Sequence, residues 1–141
     1  MIPTFDSDGY LPKGEHLAKM EEFITSFAYN ETRKELLGHL KRFIIDIKSV
    51  GCRVIYIDGS YVTAKEEPDD IDLCWEDKGV NYDVAEMKMP ILADTDKMKL
   101  EYNMHIYPAR FTVEGSDQIF LHFFQQIKHT KIPKGIIKIL I

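Results

Sequence analysis

The sequence contains no apolar run of about eighteen residues, the length that a membrane-spanning helix needs. Its first residues, MIPTFDSDGY, lack the basic region and the apolar run of a secretory signal peptide. It has only 2 cysteines, too few for a disulfide framework or a zinc knuckle, and we expect both to be buried structural thiols. These absences predict a cytoplasmic protein that makes no membrane contact.

The sequence also lacks an excess of basic residues. Lys and Arg total 18, Asp and Glu total 23, and the formal net charge is −5. A broad nucleic-acid-binding surface needs clustered Lys and Arg, so the charge does not indicate nucleic-acid binding, although a local basic groove is compatible with it. No repeat, low-complexity tract or linker interrupts the chain, and we expect a single domain over residues 1–141.

Hydrophobic spacing predicts helices first and then strands mixed with helices. This order is typical of an α+β or mixed α/β protein, and we predict the α+β class with a mixed sheet flanked by helices. The N-terminal half is predicted to hold a helix over residues 15–27 and a second helix from a cap at Asn30 to a stop at Gly51. The other predicted elements are strands over residues 53–58, 71–75, 100–107 and 136–141, a helix over 82–89, and a short helix over 119–127 capped by Ser116.

The clearest chemical pattern lies in VIYIDGSYVTAKEEPDDIDLCWE, residues 54–76. Gly59 directly follows a strand, where a missing side chain lets backbone amides approach a phosphate, and Ser60 adds a hydroxyl donor. Asp70 and Asp72 occupy alternate positions of the next apolar run, so their carboxylates are expected to point the same way. Such a pair suits Mg²⁺ or Mn²⁺ shared with substrate phosphates, and a solvated edge-strand face is the alternative.

Two residues of the intervening loop, Thr63 and Lys65, have two readings that the sequence leaves open. Either residue can contact a phosphate, and either can stabilise the loop itself. The acidic residues that follow them favour a solvated loop over additional metal ligands.

The arrangement resembles the nucleotidyltransferase fold, whose signature is an apolar residue, Gly-Ser or Gly-Gly, a spacer, and then acid-apolar-acid-apolar. Here nine residues separate Ser60 from Asp70-Ile71-Asp72-Leu73. The chain departs from the pattern at Asp58, where that family often has an apolar residue. The chain also resembles, over its whole length, a group of small bacterial proteins of unknown function with a nucleotidyltransferase-like fold. The residues that carry this resemblance are 5–16, 58–72, 123–125 and 134–136.

The resemblance implies an enzyme that transfers a nucleoside monophosphate from an NTP to a hydroxyl of a protein, an RNA or a small molecule. It assigns nucleotide binding to Gly59, Ser60, Thr63 and Lys65, and Mg²⁺ or Mn²⁺ binding to Asp70 and Asp72.

Active nucleotidyltransferases usually carry a third carboxylate on the next strand, and this chain departs from that pattern. The predicted strand over residues 100–107 offers Asn103 and His105 on its polar face, with Glu101 one step earlier. Asn and neutral His are poor Mg²⁺ ligands, whereas His105 can act as a general base and is predicted to be catalytic with Asp70 and Asp72.

Two functions of different classes therefore remain open. One is the nucleotidyltransferase, in a toxin–antitoxin or phage-defence pair such as those that contain minimal proteins of this kind, which implies a cognate toxin or antitoxin as partner. The other is a catalytically degenerate antitoxin or regulatory subunit that binds without turnover, which the missing third acid favours. Metal-dependent NTP consumption distinguishes the two.

Overall fold

A computed structural model describes residues 1–141 and confirms the α+β class. Its strands are β1 (Gly14–Ala18), β2 (Val54–Asp58), β3 (Asp72–Trp75), β4 (His105–Pro108) and β5 (Gly135–Leu140). Its helices are α1 (Met20–Phe27), α2 (Glu31–Ser49), α3 (Tyr82–Lys88), α4 (Thr95–Tyr102) and α5 (Phe120–Phe123). The strands form one mixed sheet in the order β1-β5-β2-β3-β4, in which β1 with β5 and β3 with β4 are parallel and the other pairs are antiparallel.

The two faces of the sheet are covered differently. Ile55 and Ile57 of β2 belong to a core of 29 buried residues that also takes side chains from helices α1 to α4. Tyr56, between them, points to the other face and belongs to a second core of only 5 buried residues, beneath α5. Because this second cover is small, part of that face stays open.

Several predicted elements are confirmed. The structure has β2 and α3 where the sequence predicts them, and β5 one residue earlier. Helix α2 begins after Asn30, whose Oδ1 accepts a hydrogen bond from the backbone N–H of Arg33 at 2.8 Å. The chain leaves this helix at Gly51, whose N–H donates to the carbonyl of Lys48. Both cysteines are buried and free, as predicted.

The predicted helix over residues 15–27 is wrong in its first part. Residues Gly14–Ala18 form an edge strand parallel to β5, and the helix begins only at Met20. At this edge of the sheet, Gly135 of β5 lies so close to the chain before β1 that a Cβ on Gly135 would collide with the carbonyl oxygen of Pro12. Leu17 matches the helical spacing, but its segment pairs with a strand that lies far along the chain.

The predicted strand over residues 100–107 is wrong in its first part as well. Residues 100–102 end helix α4, in which Met98 and Tyr102 are buried one turn apart. Asn103 then turns the chain with a left-handed φ of 55°, and β4 starts at His105. Alternation over so few residues fits one turn of a helix as well as a strand.

Two smaller predictions also need correction. Strand β3 begins at Asp72, so Asp70 lies in the preceding loop and not in the strand. Ser116 does not cap a helix. Its Oγ accepts from the N–H of Gln118 within a turn, and α5 begins after Ile119.

Candidate active site

The open part of the sheet carries a cleft of about 1100 Å³. Its floor includes the end of β2 and the starts of β3 and β4, where Asp58 pairs with Asp72 and Asp72 pairs with His105. Residues paired across neighbouring strands point to the same face, so these three polar side chains lie side by side. Further walls come from the 3₁₀ turn Gly59–Val62 with its following loop, and from residues 123–134.

The structure brings together every residue that the sequence predicts for the site. The residues that line this one cleft include Gly59, Ser60, Thr63, Lys65, Asp70, Asp72 and His105. The Gly-Ser turn and the acidic pair meet because β2 and β3 are adjacent and antiparallel, so the end of one strand lies beside the start of the other.

The acidic pair and the imidazole form a compact cluster. His105 Nδ1 lies 2.8 Å from Asp72 Oδ1 and 3.2 Å from Asp70 Oδ2. One ligand atom from each of the three residues lies within 4.8 Å of the others. A carboxylate only accepts hydrogen bonds, so His105 Nδ1 donates to Asp72 and the imidazole orients that carboxylate.

Two lysines add positive charge around the cluster. Lys99 Nζ, from helix α4, lies 3.1 Å from Asp70 Oδ2. Lys134, at the start of β5, lines the same cleft, and its charge acts to lower the pKa of both Asp58 and Asp72. These cations offset part of the repulsion that would otherwise separate neighbouring carboxylates.

Gly59 forms the contact between the turn and the acidic pair. It has a left-handed φ of 74°, and a Cβ at this position would collide with the Asp72 carboxylate. A side chain of any size would therefore push Asp72 away from the turn, which is why glycine is needed here.

The environment of Asp72 shifts its protonation equilibrium. Burial raises the pKa of Asp72 and the neighbouring Asp70 raises it further, while the hydrogen bond from His105 and the charge of Lys134 act against this. The net direction is upward. Asp72 thus holds its negative charge less readily than an ordinary aspartate, and a cation near it would restore that charge.

Asp58 belongs to the site and sequence reasoning missed it. Its side chain is buried at the cleft floor, and its Oδ1 has no hydrogen-bond partner. Burial raises the pKa of Asp58 well above its usual value, and the nearby Asp72 raises it further. The signal was present in the sequence, because Asp58 is an acidic residue that ends an apolar strand where the resembled pattern has an apolar residue.

Arg33 of helix α2 holds the loop that carries the predicted phosphate contacts. Its side chain is fully buried, and its guanidinium contacts the rings of Tyr29 and Tyr61, with Cζ 4.8 and 4.9 Å from their centroids. All five of its N–H groups donate to backbone carbonyls, those of Phe27, Tyr61, Thr63, Lys65 and Glu66. The sequence does not signal this role, because an arginine in a helix is ordinarily a surface residue.

The structure favours a loop-stabilising role for Thr63 and leaves Lys65 free to move. Thr63 Oγ1 donates to the Ser60 carbonyl at 2.7 Å and accepts from the Lys65 N–H at 3.2 Å. Lys65 Nζ has only a long ion pair, 3.9 Å, with the exposed Asp69. An exposed pair at this distance contributes little, so the lysine can reorient toward a phosphate.

The two other residues considered as the missing acid do not line the cleft. Glu101 lies on helix α4 and pairs with Arg42 at 3.0 Å. Asn103 is in the turn after that helix, with its Nδ2 3.4 Å from His39 Nε2. The sequence placed both on a strand with His105, and the helical end of that segment directs them elsewhere.

The donor set fits a hard divalent cation in part. Asp70 and Asp72 provide carboxylate oxygens of the kind that Mg²⁺ and Mn²⁺ take together with water and phosphate oxygens. His105 provides nitrogen, which these ions bind less readily, and its hydrogen bond to Asp72 suits it better to orienting that carboxylate.

Fold and cleft together define an α+β protein with an acidic, histidine-containing cleft beside a Gly-Ser turn. The profile of a family described as "Family of unknown function (DUF6932)" matches residues 3–140, and the chain belongs to this family. No curated protein and no solved structure matches the chain. None of its helices combines the length and the hydropathy that a membrane crossing needs.

The contact between Gly59 and Asp72 predicts that Gly59→Ala destabilises the protein. A left-handed φ costs a residue with a Cβ about 1–2 kcal/mol, and the displaced carboxylate adds to that cost. Gly115→Ala is a matched control, because Gly115 has a similar φ of 77° and nothing within 4 Å of an added Cβ. Denaturant unfolding should show a clearly larger loss for Gly59→Ala, and equal losses would contradict the tight contact.

The buried Asp58 predicts a pH-dependent gain in stability for Asp58→Asn. The pKa of Asp58 is higher in the folded protein than in the unfolded chain, so the ionised carboxylate destabilises the fold at neutral pH. We expect the variant to be more stable than the wild type at pH 7, with the gain disappearing as the pH falls below the unfolded value of about 3.9.

Thermal unfolding across this pH range measures the difference between Asp58→Asn and wild type. Asp117→Asn, at an exposed position outside the cleft, is the control and should change stability by less than about 0.5 kcal/mol. A stability difference for Asp58→Asn that does not vary with pH would show that Asp58 is not buried as an ionisable group.

Proposed function

We propose that the protein is a nucleotidyltransferase-like protein that binds an NTP with Mg²⁺ or Mn²⁺ and transfers the nucleoside monophosphate to a hydroxyl. The observation that carries the proposal is the direct contact of the Gly59 turn with Asp72, in the same cleft as Asp70 and His105. A phosphate chain on the turn would lie beside the carboxylates, where it could share a divalent ion with them. A protein, an RNA or a small molecule could supply the hydroxyl.

Each residue of the cleft has a role in this proposal. Asp70 and Asp72 would hold the metal, which when bound supplies positive charge to the oxygens of the triphosphate. Gly59 and Ser60 line the cleft, where backbone amides of the turn and the Ser60 hydroxyl would donate to phosphate oxygens. Lys134 and the movable Lys65 would add charge-assisted contacts to the phosphates.

His105 would act as the general base. With Nδ1 donating to Asp72, the neutral imidazole carries its lone pair on Nε2. Nε2 would take the proton of the acceptor hydroxyl while that oxygen bonds to the α-phosphorus and pyrophosphate leaves with the electron pair of the broken P–O bond. The Asp72 carboxylate stabilises the imidazolium that this transfer creates.

A second candidate function is supported by the charges already in the cluster. Lys99 contacts Asp70, and His105 contacts both carboxylates, so the acidic pair is partly neutralised by the chain itself. The cluster contains two carboxylates and an imidazole, and the third carboxyl group of the cleft, Asp58, is buried with a raised pKa that favours its neutral form. This arrangement suits a degenerate antitoxin or regulatory subunit that keeps the fold and binds a partner without turnover.

The proposal predicts metal-dependent nucleotide binding. Mg²⁺ or Mn²⁺ should raise the affinity for an NTP by about tenfold or more, because the ion links the triphosphate to Asp70 and Asp72. Replacing both aspartates with alanine should abolish this increase. Titration calorimetry of each protein with NTP, in metal and in chelator, measures the effect.

The control for charge is Glu86→Ala with Glu114→Ala, which removes two exposed carboxylates outside the cleft. This variant should keep the full metal effect. Equal NTP affinity of the wild type with and without metal would contradict the proposal, provided that circular dichroism shows a folded protein.

Turnover decides between the two candidate functions. The enzyme should transfer label from the α-phosphate of an NTP to protein or RNA that co-purifies with the chain, and His105→Gln should lower the rate about 10²-fold or more while leaving NTP affinity nearly unchanged. His122→Gln, at an exposed position outside the cleft, should not alter the rate. Metal-dependent NTP binding without any transfer would favour the regulatory subunit.

A further inference from the structure

Aromatic rings continue the cleft away from the carboxylates. Tyr107 stacks on Phe120 with ring centroids 4.7 Å apart and an interplanar angle of 16°, and Phe120 stacks on Phe124 at 5.9 Å and 19°. Phe123 meets Phe124 edge-on, at 5.4 Å and 82°. Three of these four rings, Tyr107, Phe123 and Phe124, line the cleft.

The stack begins beside the catalytic cluster. Tyr107 lies two residues after His105 on β4 and therefore points to the same face of the sheet. Burial raises the pKa of Tyr107, and the Asp72 and Asp58 carboxylates add to that increase, which places the phenol within reach of their charge. The rings thus connect the polar floor of the cleft, at Tyr107, with the exposed Phe123.

Phe123 is the member of the stack that the protein leaves open. Its side chain is 40% exposed, although it packs against Phe124 on one side. The cleft residues that follow it in the chain are Gln126, Ile127, Lys128 and His129, of which Lys128 carries a positive charge. An open aromatic surface next to cationic side chains is the combination that binds nucleobases by stacking while the cations attract phosphate.

The size of the cleft agrees with a ligand larger than a phosphate chain. Its volume of about 1100 Å³ is slightly above the usual range for pockets that enclose whole small molecules, roughly 300–1,000 Å³. The carboxylates occupy its floor, and Tyr107, Phe123 and Phe124 add an aromatic surface to walls that are otherwise mostly polar. The cleft is therefore divided into one part that suits a metal-bound phosphate and another that suits a flat apolar group.

We propose that the exposed ring of Phe123, supported by Phe124, binds the base of the NTP by stacking. Because of this surface, the site binds nucleotides more tightly than inorganic polyphosphate. The inference rests on the proposed function, since the triphosphate end of the ligand is placed by Gly59, Asp70 and Asp72. Purines offer the larger stacking area, so purine nucleotides should depend on Phe123 more strongly than pyrimidine nucleotides do.

Calorimetry with ATP, CTP and inorganic tripolyphosphate, each with Mg²⁺, tests the inference. Wild type should bind ATP more tightly than tripolyphosphate, and Phe123→Ala should weaken ATP binding about tenfold, weaken CTP binding less, and leave tripolyphosphate binding unchanged. Phe123→Tyr should keep the wild-type affinities because it keeps the ring. Phe111→Ala, which removes a 48% exposed ring outside the cleft, should change none of them.

The outcomes separate the two proposals. If ATP and tripolyphosphate bind wild type equally and Phe123→Ala changes neither affinity, the base-stacking surface is wrong while the metal–phosphate site stands. If neither ligand binds in the presence of Mg²⁺, the proposed function is wrong and the inference is wrong with it. Thermal unfolding of Phe123→Ala, an exposed substitution, shows whether the variant is folded when it is measured.

Discussion

The loop of the candidate site depends on one buried cation. The guanidinium of Arg33 directs all five of its N–H groups to backbone carbonyls, four of which belong to residues 61–66, in the chain between β2 and β3. A connection of this length with only one 3₁₀ turn would ordinarily be mobile, and its free carbonyls would be bonded to water. Arg33 replaces that water with a planar set of donors fixed on helix α2, and contacts with the rings of Tyr29 and Tyr61 help to orient it. The position of the Gly-Ser turn therefore depends on a helix that contributes no residue to the cleft.

The anchored loop has an electrostatic consequence, because it returns the chain with Asp70 and Asp72 close to each other and to Asp58. Three carboxyl groups in one partly buried place destabilise a fold unless cations or protons compensate them. The protein uses both means. Lys99 and His105 contact the two more exposed carboxylates, and the pKa of the buried Asp58 is raised by burial and by Asp72, which favours its neutral form. A divalent cation between these carboxylates would relieve the remaining repulsion, as the proposed metal-dependent chemistry requires.

The asymmetry of the sheet explains why the cleft lies where it does. Helices α1 to α4 bury one face in a large core, whereas the second face has only α5 and the aromatic stack over five buried residues. Phe124 and Tyr107 pack against this second core and also line the cleft, so the core supports the proposed ligand-binding surface. Packing and candidate function thus share residues, and an aromatic substitution inside the stack would affect both. Phe123 is the exception, since it lies outside that core.

The sequence by itself determined the α+β class, helix α2 with its Asn30 cap, strand β2, and seven predicted site residues, six of them in one local motif, that all line one cleft. These features follow from hydrophobic period, capping and short-range spacing, which depend on neighbouring residues. Only the tertiary structure decided that residues 14–18 form a strand, because their partner β5 is more than a hundred residues away. It also decided that residues 100–102 are helical, because so short an alternation fits the helical period as well as the strand period. It also decided which polar residues reach the cleft. Glu101 and Asn103 point away from the cleft, and Asp58 lies at its floor. Arg33 is buried and holds the loop between β2 and β3. Burial and pairing of charges depend on contacts between distant segments, which no local pattern encodes.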